Sequence, residues 1–147
     1  MKSLYEQVLD FKRKYPKTVT WNRLKKHCSV IEQHLNPGEE VIYAFVGQKN
    51  EHPLDWFSTC VVALTNKRIL LGQKRVLVGY SLNSITPDLF NDMQIYRGIR
   101  WGKLTIDTVK EVLILTNLDK KSLPEIETNI SEFMMREKQK YAQVKQD

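Results

Sequence analysis

The sequence lacks several features that would assign a function directly. Its 147 residues contain no apolar run near the ~18 residues of a membrane-spanning helix. Two cysteines, Cys28 and Cys60, are too few for a disulfide framework and form no CxxC pair, so we expect buried, reduced thiols. A GxSxG elbow, a phosphate-binding P-loop and a GxGxxG fingerprint are all missing. These absences argue against the common hydrolase, nucleotide-binding and membrane-spanning classes.

Histidine is also scarce, and its spacing does not suit a metal. His27 and His34 are seven residues apart, whereas zinc-binding helices carry ligands four residues apart, and His52 stands alone. We therefore interpret His27 and His34 as solvated side chains and expect no catalytic residue, no metal and no cofactor. A hydrolase or metalloenzyme is the least favoured alternative, because a Cys28 nucleophile would need a base within hydrogen-bond reach.

The charge of the chain is its one compositional oddity. Lysine and arginine number 23 against 17 acidic residues, a net charge of +6. Residues 1–36 hold 8 bases and 3 acids (+5), and residues 37–147 hold 15 bases and 14 acids (+1). Because the N-terminal stretch is charged throughout and lacks the apolar segment of a secretion signal, we expect a cytoplasmic protein. Peripheral attachment to a membrane stays open.

The first 36 residues carry helical patterns. Ser3 and Glu6 have capping-box spacing, and Tyr15-Pro16 ends the pattern. The apolar stripe of this helix is Leu4, Val8, Phe11 and Tyr15. A second helix is predicted from Thr18 or Thr20, with the stripe Trp21, Leu24, Cys28, Ile31 and Leu35. We interpret residues 1–36 as a basic helical hairpin that packs on the following domain or on a second copy.

The remainder predicts seven strands and a closing helix. The strands are expected at 41–46, 57–65, 68–74, 76–82, about 90–96, 99–106 and 109–116, with a loop at 50–55. Short strands at this spacing indicate a sandwich or barrel. Ser122 and Glu125 repeat the capping-box spacing ahead of an amphipathic stretch, which predicts a helix over about 122–142. The charged tail, 137–147, is expected to fray.

Four short motifs resemble, in order, those of bacterial pleckstrin-homology (PH)-like domains. They are Leu35-Asn-Pro-Gly-Glu-Glu-Val41, Thr65-Asn-Lys-Arg68 within an apolar hairpin, Tyr80-Ser-Leu-Asn-Ser-Ile-Thr86, and Gly98-Ile-Arg-Trp-Gly-Lys-Leu-Thr-Ile106. The resemblance spans about residues 35–136. It implies an α+β, mainly β fold, in which a seven-stranded two-sheet barrel or sandwich is capped by a C-terminal helix. This domain would cover residues 37–136 and follow the N-terminal helical hairpin.

The resemblance also implies a non-catalytic role, since PH-type domains generally bind phospholipid headgroups, peptides or other proteins. The stretch 47–56 has one lysine and two acids, so it departs from the basic pattern of phosphoinositide binders. We therefore predict a binding or scaffolding module that docks a protein partner, or a second copy, by main-chain pairing at a sheet edge or in a groove.

Two basic regions support an alternative, binding of an acidic phospholipid or nucleic acid surface. Residues 67–103 hold 7 bases against 2 acids, and the candidates there are Lys67, Arg68, Lys74, Arg75, Arg97, Arg100, Trp101 and Lys103. An aromatic ring such as Trp101 among bases suits a lipid interface or stacking on a base. The N-terminal basic face comprises Lys12, Arg13, Lys14, Arg23, Lys25 and Lys26. Solvated bases that protect sheet edges would produce the same pattern.

Overall fold

The computed structural model describes residues 2–20, 23–49, 58–75 and 78–146. Two helices come first, α1 (Leu4–Lys14) and α2 (Leu24–Glu32). The strands are β1 (Val41–Gln48), β2 (Thr59–Thr65), β3 (Ile69–Lys74), β4 (Tyr80–Ile85), β5 (Phe90–Arg97), β6 (Gly102–Thr108) and β7 (Val112–Leu118). A 3-10 turn, Lys120–Ser122, leads into α3 (Leu123–Gln146). The predicted order of elements is confirmed.

The seven strands form an antiparallel sheet in two halves. The strand order is β4-β3-β2-β1-β7-β6-β5. β1 and β7 join through a single residue pair, Gln48 with Thr116, whereas the other neighbouring strands pair over at least four residues. One face of α3 belongs to the same buried core as the strands, through Leu123, Ile126, Ile130, Phe133 and Met134. The predicted architecture of two half-sheets closed by a C-terminal helix is thus confirmed.

Helix α1 begins where the local sequence signal places it. The Ser3 hydroxyl accepts the Glu6 N–H, and the Glu6 carboxylate accepts the Ser3 N–H. The predicted apolar stripe is buried in the core, and the Phe11 ring lies 6.0 Å from the Phe45 ring of β1. At its C-terminal end, Lys14 forms an ion pair with Glu125 in the first turn of α3. Helix α1 is therefore attached to both β1 and α3.

Helix α2 begins at Leu24, so the predicted start at Thr18 or Thr20 is wrong. The Thr18 side chain is buried and its hydroxyl accepts the Asp119 N–H (3.1 Å). The Val19 N–H donates to the Asn117 carbonyl at the end of β7 (2.9 Å). These contacts hold the segment against the end of β7 and use the Thr18 hydroxyl that an N-cap would need. The prediction for Trp21 lies outside the described residues.

Helix α2 covers one face of the first half-sheet. Its side chains Cys28 and Ile31 are buried in the common core. The close approach is to Gly72 of β3, where an added Cβ would lie 2.5 Å from Ile31 Cγ1. With α2 packed on this half-sheet, β2 is buried along its whole length.

Strands β6 and β7 start at Gly102 and Val112, later than predicted, because turns occupy the first residues, and a turn also precedes β4. The turn before β4 is closed by the Arg75 N–H bonding the Gly79 carbonyl, with Gly79 at φ +82°. Residues 98–101 form the turn before β6, and residues 108–111 the turn before β7. The predicted loop at 50–55 and the predicted strand starts at residues 57 and 76 lie outside the described residues.

The predicted capping box of the last helix is also wrong. Ser122 lies in the 3-10 turn and its hydroxyl donates to the Asp119 carbonyl. The Glu125 carboxylate instead accepts a hydrogen bond from the Tyr43 hydroxyl (2.9 Å). Helix α3 continues to Gln146, past the predicted end at residue 142.

Candidate functional site

The turn between β5 and β6, here called the β5–β6 tip (residues 97–103), has a fixed conformation. The Gly98 N–H donates to the Trp101 carbonyl (3.0 Å), and a Cβ on Gly98 would lie 2.9 Å from that oxygen, so the turn requires glycine. Two contacts from outside secure the tip: Lys120 donates to the Ile99 carbonyl, and the Trp101 indole donates to the Lys17 carbonyl (3.2 Å). The Ile99 side chain is left 94% exposed.

Bases and one aromatic ring surround Ile99. The side chains of Arg97, Arg100 and Lys103 are exposed. Lys103 pairs across the strands with Tyr96, and its ammonium lies 5.6 Å from the centroid of that ring, which is itself 63% exposed. The tip therefore presents an aliphatic side chain among positive charges.

Trp101 is not the exposed aromatic residue that the sequence indicates. Its side chain is half-buried, and its indole nitrogen is bonded to the linker between α1 and α2. Trp101 anchors the tip, and Tyr96 is the aromatic residue that solvent reaches. The sequence pattern placed both residues next to bases and could not separate these roles.

A second basic cluster lies at the turn between β3 and β4. Arg23 reaches it from the start of α2, with its guanidinium 3.4 Å from the Arg75 carbonyl. The Lys74 N–H donates to Nδ1 of His27 (2.8 Å). Lys25, in the first turn of α2, is exposed.

His27 is therefore not the solvated side chain that the sequence indicated. It is only 3% exposed. Burial, with the nearby charge of Arg23, lowers the pKa of His27 to about 4. The ring is neutral at neutral pH, and it accepts the β3 amide as a structural contact between α2 and the sheet.

The linker between α1 and α2 connects the two basic clusters. Its Lys17 carbonyl binds Trp101, its Val19 carbonyl accepts from the Gln48 side chain (3.0 Å), and Arg23 contacts the β3–β4 turn. Arg23 is six positions after Lys17, so these contacts lie within about 20 Å of chain. We call the bases gathered along this line the basic strip: Lys17, Arg23, Lys74, Arg75, Arg97, Arg100, Lys103 and Lys120.

Two of the predicted site residues lie elsewhere. Lys67 and Arg68 follow β2 at Thr65, which pairs with Val41 at the far end of β1 from the linker contacts. Arg68 forms a bidentate ion pair with the buried Glu39 carboxylate, at 2.9 and 3.0 Å. Burial raises the pKa of Glu39, but the hydrogen bonds from Arg68, the Asn36 amide and Thr65 outweigh it, and the pKa falls to about 2. Arg68 therefore has a structural role.

The bases of α1 are also engaged. Lys12 donates to the Thr18 carbonyl (3.0 Å), and burial lowers the pKa of its ammonium. Arg13 pairs with Asp10, and Lys14 pairs with Glu125. The predicted N-terminal basic face is thus divided: its first three residues bind within the domain, Arg23 contacts the β3–β4 turn, and Lys25 and Lys26 are exposed on α2.

The charges of the basic strip are not neutralised locally. Within the described ranges, none of its side chains forms an ion pair with a carboxylate. Asp119, which precedes Lys120 in the sequence, is buried, and its carboxylate accepts backbone N–H groups of Lys17 (3.2 Å) and Lys121 (3.0 Å). The strip is therefore a region of uncompensated positive charge.

The remaining chemistry-bearing side chains have structural surroundings. Burial raises the pKa of both Cys28 and Cys60 to about 12, so neither is a ready nucleophile. Among the residues that the structure describes, no three His, Cys, Asp or Glu side chains cluster as metal ligands would. No helix in the same residues is long and apolar enough to cross a bilayer.

Two antiparallel half-sheets joined at one residue pair and closed by a C-terminal helix define a PH-type fold. The family model described as "Bacterial PH domain" matches residues 35–132, more than half of the chain, so this protein belongs to the bacterial PH domain family. Residues before 35, which include α1 and α2, lie outside that match.

One solved structure supports this fold, and a second shows a further similarity. The crystal structure of a PH domain from Shewanella amazonensis SB2B is 15% identical, with a TM-score of 0.51 over 84% of this chain and 98% of its own. A DUF1696 family protein with a PH domain from Shewanella loihica PV-4 is 16% identical, with a TM-score of 0.49 over 78% of this chain and 99% of its own. No curated protein matches the sequence.

Proposed function

We propose that this bacterial PH domain is a binding module that docks onto a negatively charged macromolecular surface through the basic strip. The proposal rests on a difference between two groups of bases, those with carboxylate partners and those without. Arg13 and Lys14 of α1 and Arg68 at the β2–β3 turn pair with carboxylates of the domain, whereas the bases of the strip have no carboxylate partner among the described residues.

Bases that lack carboxylate partners and come from several elements indicate a role in binding more than a role in folding stability. Like charges that lie close together repel one another, and exposed charges contribute little to folding without partners. An anionic surface makes the same charges favourable. Each nearby base contributes about 1 kcal/mol to binding at an acidic bilayer. At a polyanion, binding of the bases releases counterions. The strip thus gains its favourable electrostatic energy only when a partner is bound.

Docking of a protein partner or second copy at a sheet edge remains a prediction, and part of one edge already has partners. On edge strand β5, Lys138 donates to the Phe90 carbonyl (3.0 Å). The Met93 N–H donates to the Asp92 carboxylate (2.8 Å). Because these main-chain groups are engaged, added strand pairing there would have to displace them. The geometry therefore favours the strip.

The test is salt-dependent binding of three polyanions: duplex DNA, polyglutamate and phosphatidylglycerol vesicles. The variant Arg97→Glu/Arg100→Glu reverses two charges of the strip. The matched control, Lys67→Glu/Lys110→Glu, makes the same change in net charge at turns outside the strip. At about 1 kcal/mol per base, binding to at least one probe should weaken by at least about tenfold in the first variant.

The control variant should bind as the unchanged protein does. Circular dichroism and thermal unfolding of both variants establish that they are folded. Equal loss in the two variants would mean that net charge alone drives binding. Absence of binding to all three probes at about 50 mM salt would overturn the proposal, since screening is weak there.

A further inference from the structure

We infer that the surface recognised by the basic strip is an anionic lipid bilayer, which the β5–β6 tip enters with the side chain of Ile99. The inference rests on the proposed function and adds to it the partner and the contact residue. Its starting point is an aliphatic side chain at the position of the molecule where a polar one is expected.

Turns of this kind normally carry glycine, asparagine, aspartate or serine, whose backbones or side chains favour the turn. Ile99 lies outside the core and is 94% exposed. Two hydrogen bonds, from Lys120 to the Ile99 carbonyl and from Trp101 to the Lys17 carbonyl, nevertheless fix the turn that carries it. Single exposed apolar residues are common on surfaces. Ile99 differs from them because Lys120 binds its carbonyl and because the same turn carries the exposed bases Arg97, Arg100 and Lys103.

The composition of the tip favours lipid over other polyanions. Nucleic acid binding rewards bases and stacking rings, and a phosphate backbone offers no apolar volume for an isoleucine. A bilayer interface rewards all three components of the tip at once. An aliphatic side chain enters the acyl boundary, the Tyr96 ring suits the headgroup level, and Arg97 and Arg100 remain at the phosphates.

The same arrangement implies reversible attachment. One aliphatic side chain gives only weak partition into lipid, and stable binding to membranes takes an apolar contact together with a basic patch. Loss of either component should therefore release the protein. The affinity of such attachment depends on the charge density of the bilayer surface and needs no stereospecific pocket for a headgroup.

The experiment measures partition of the full chain onto vesicles of phosphatidylcholine with about one third phosphatidylglycerol, and onto phosphatidylcholine alone. Ile99→Ser should lower the partition coefficient about tenfold, from the apolar burial lost with the side chain. The matched control is Val109→Ser, which removes another exposed aliphatic residue, 65% exposed, from the β6–β7 turn. It should leave partition unchanged.

A second readout reports insertion directly. Ile99→Cys and Val109→Cys are labelled with an environment-sensitive fluorophore, which the buried thiols of Cys28 and Cys60 should not take up. Quenchers attached to lipid acyl chains should dim the fluorophore at position 99 and spare the one at 109.

The outcomes separate this inference from the proposed function. Vesicle binding that is lost in Arg97→Glu/Arg100→Glu but unaffected by Ile99→Ser, with no acyl-chain quenching at 99, leaves an anion-binding module and overturns the insertion of Ile99. Binding to DNA or polyglutamate without binding to vesicles overturns the bilayer as partner. Absence of binding to every polyanion overturns the proposed function itself.

Discussion

Replacing Gly72 by alanine tests whether α2 is part of the folded core. The added Cβ would lie 2.5 Å from Ile31 Cγ1, 3.1 Å from its Cδ1 and 3.3 Å from the His27 carbonyl oxygen. Overpacking of this kind costs about 1–3 kcal/mol. Without α2 above it, the same change would stabilise the strand by about 0.5–1 kcal/mol, since alanine has less backbone freedom than glycine. The sign of the change is therefore diagnostic.

The assay is urea unfolding followed by tryptophan fluorescence and circular dichroism. A double-mutant cycle with Ile31→Ala sharpens it, because that change removes the two clashing carbons. Ile31→Ala alone should cost about 2–5 kcal/mol through the cavity it leaves. In the double variant the alanine at 72 should recover part of this loss, with a coupling of about 1–2 kcal/mol.

Gly47→Ala provides a control for the cycle. Its Cβ would meet Leu118 Cδ2 at 3.0 Å and no atom of α2, so its effect should add to that of Ile31→Ala. A neutral or stabilising Gly72→Ala, or an additive Gly72→Ala/Ile31→Ala pair, would refute the packing of α2 on β3. Residues 1–36 would then be an appendage to the sheet.

Three further predictions follow from burial and hydrogen bonding. The pKa of Glu39 is about 2 in the folded chain against an ordinary value of 4.5, so the stability it contributes is present above pH 4.5 and is lost as the pH falls toward 2. When the unfolding free energy is measured against pH, Glu39→Gln should remove the decrease between these two pH values. The thiols of Cys28 and Cys60 should resist thiol reagents at pH 8 until denaturant is added, and rapid native labelling would contradict their burial. Deleting residues 1–36 should yield an aggregating or molten product, and a cooperative thermal transition in the truncated chain would show that the β-domain folds alone.

Local patterns predicted the elements well wherever local contacts decide them. The Ser3 and Glu6 signal marks the start of α1 because both partners lie within one turn. Strand number and order follow from alternating apolar segments and turn residues. The start of α2 was not predictable, because the hydroxyl of Thr18 is used by Asp119, 101 residues away in the sequence. A good N-cap residue was thus diverted by a contact that sequence spacing does not record.

The candidate site was only partly predictable for the same reason. The sequence groups Lys74, Arg75, Arg97, Arg100 and Lys103 with Arg68 as bases near strand ends, but it could not show that Glu39 neutralises Arg68. Lys17 and Lys120 were missed because the linker and the 3-10 turn bring them to the tip. A signal for Ile99 was present: an isoleucine between Gly98 and Arg100 in a predicted hairpin.

The N-terminal helices explain why the sheet ends, and not the sheet faces, are available for binding. Strand β2 is buried along its whole length and α2 packs into the same core, so this part of the sheet offers no open face to a partner. The linker between the helices is bonded to β7 and to the β5–β6 tip. The segment that comprises α1, the linker and α2 therefore both covers the sheet and brings the bases of the strip together. A substitution that detaches the linker, such as Thr18→Val, should weaken both stability and polyanion binding, whereas Ile99→Ser should affect binding alone.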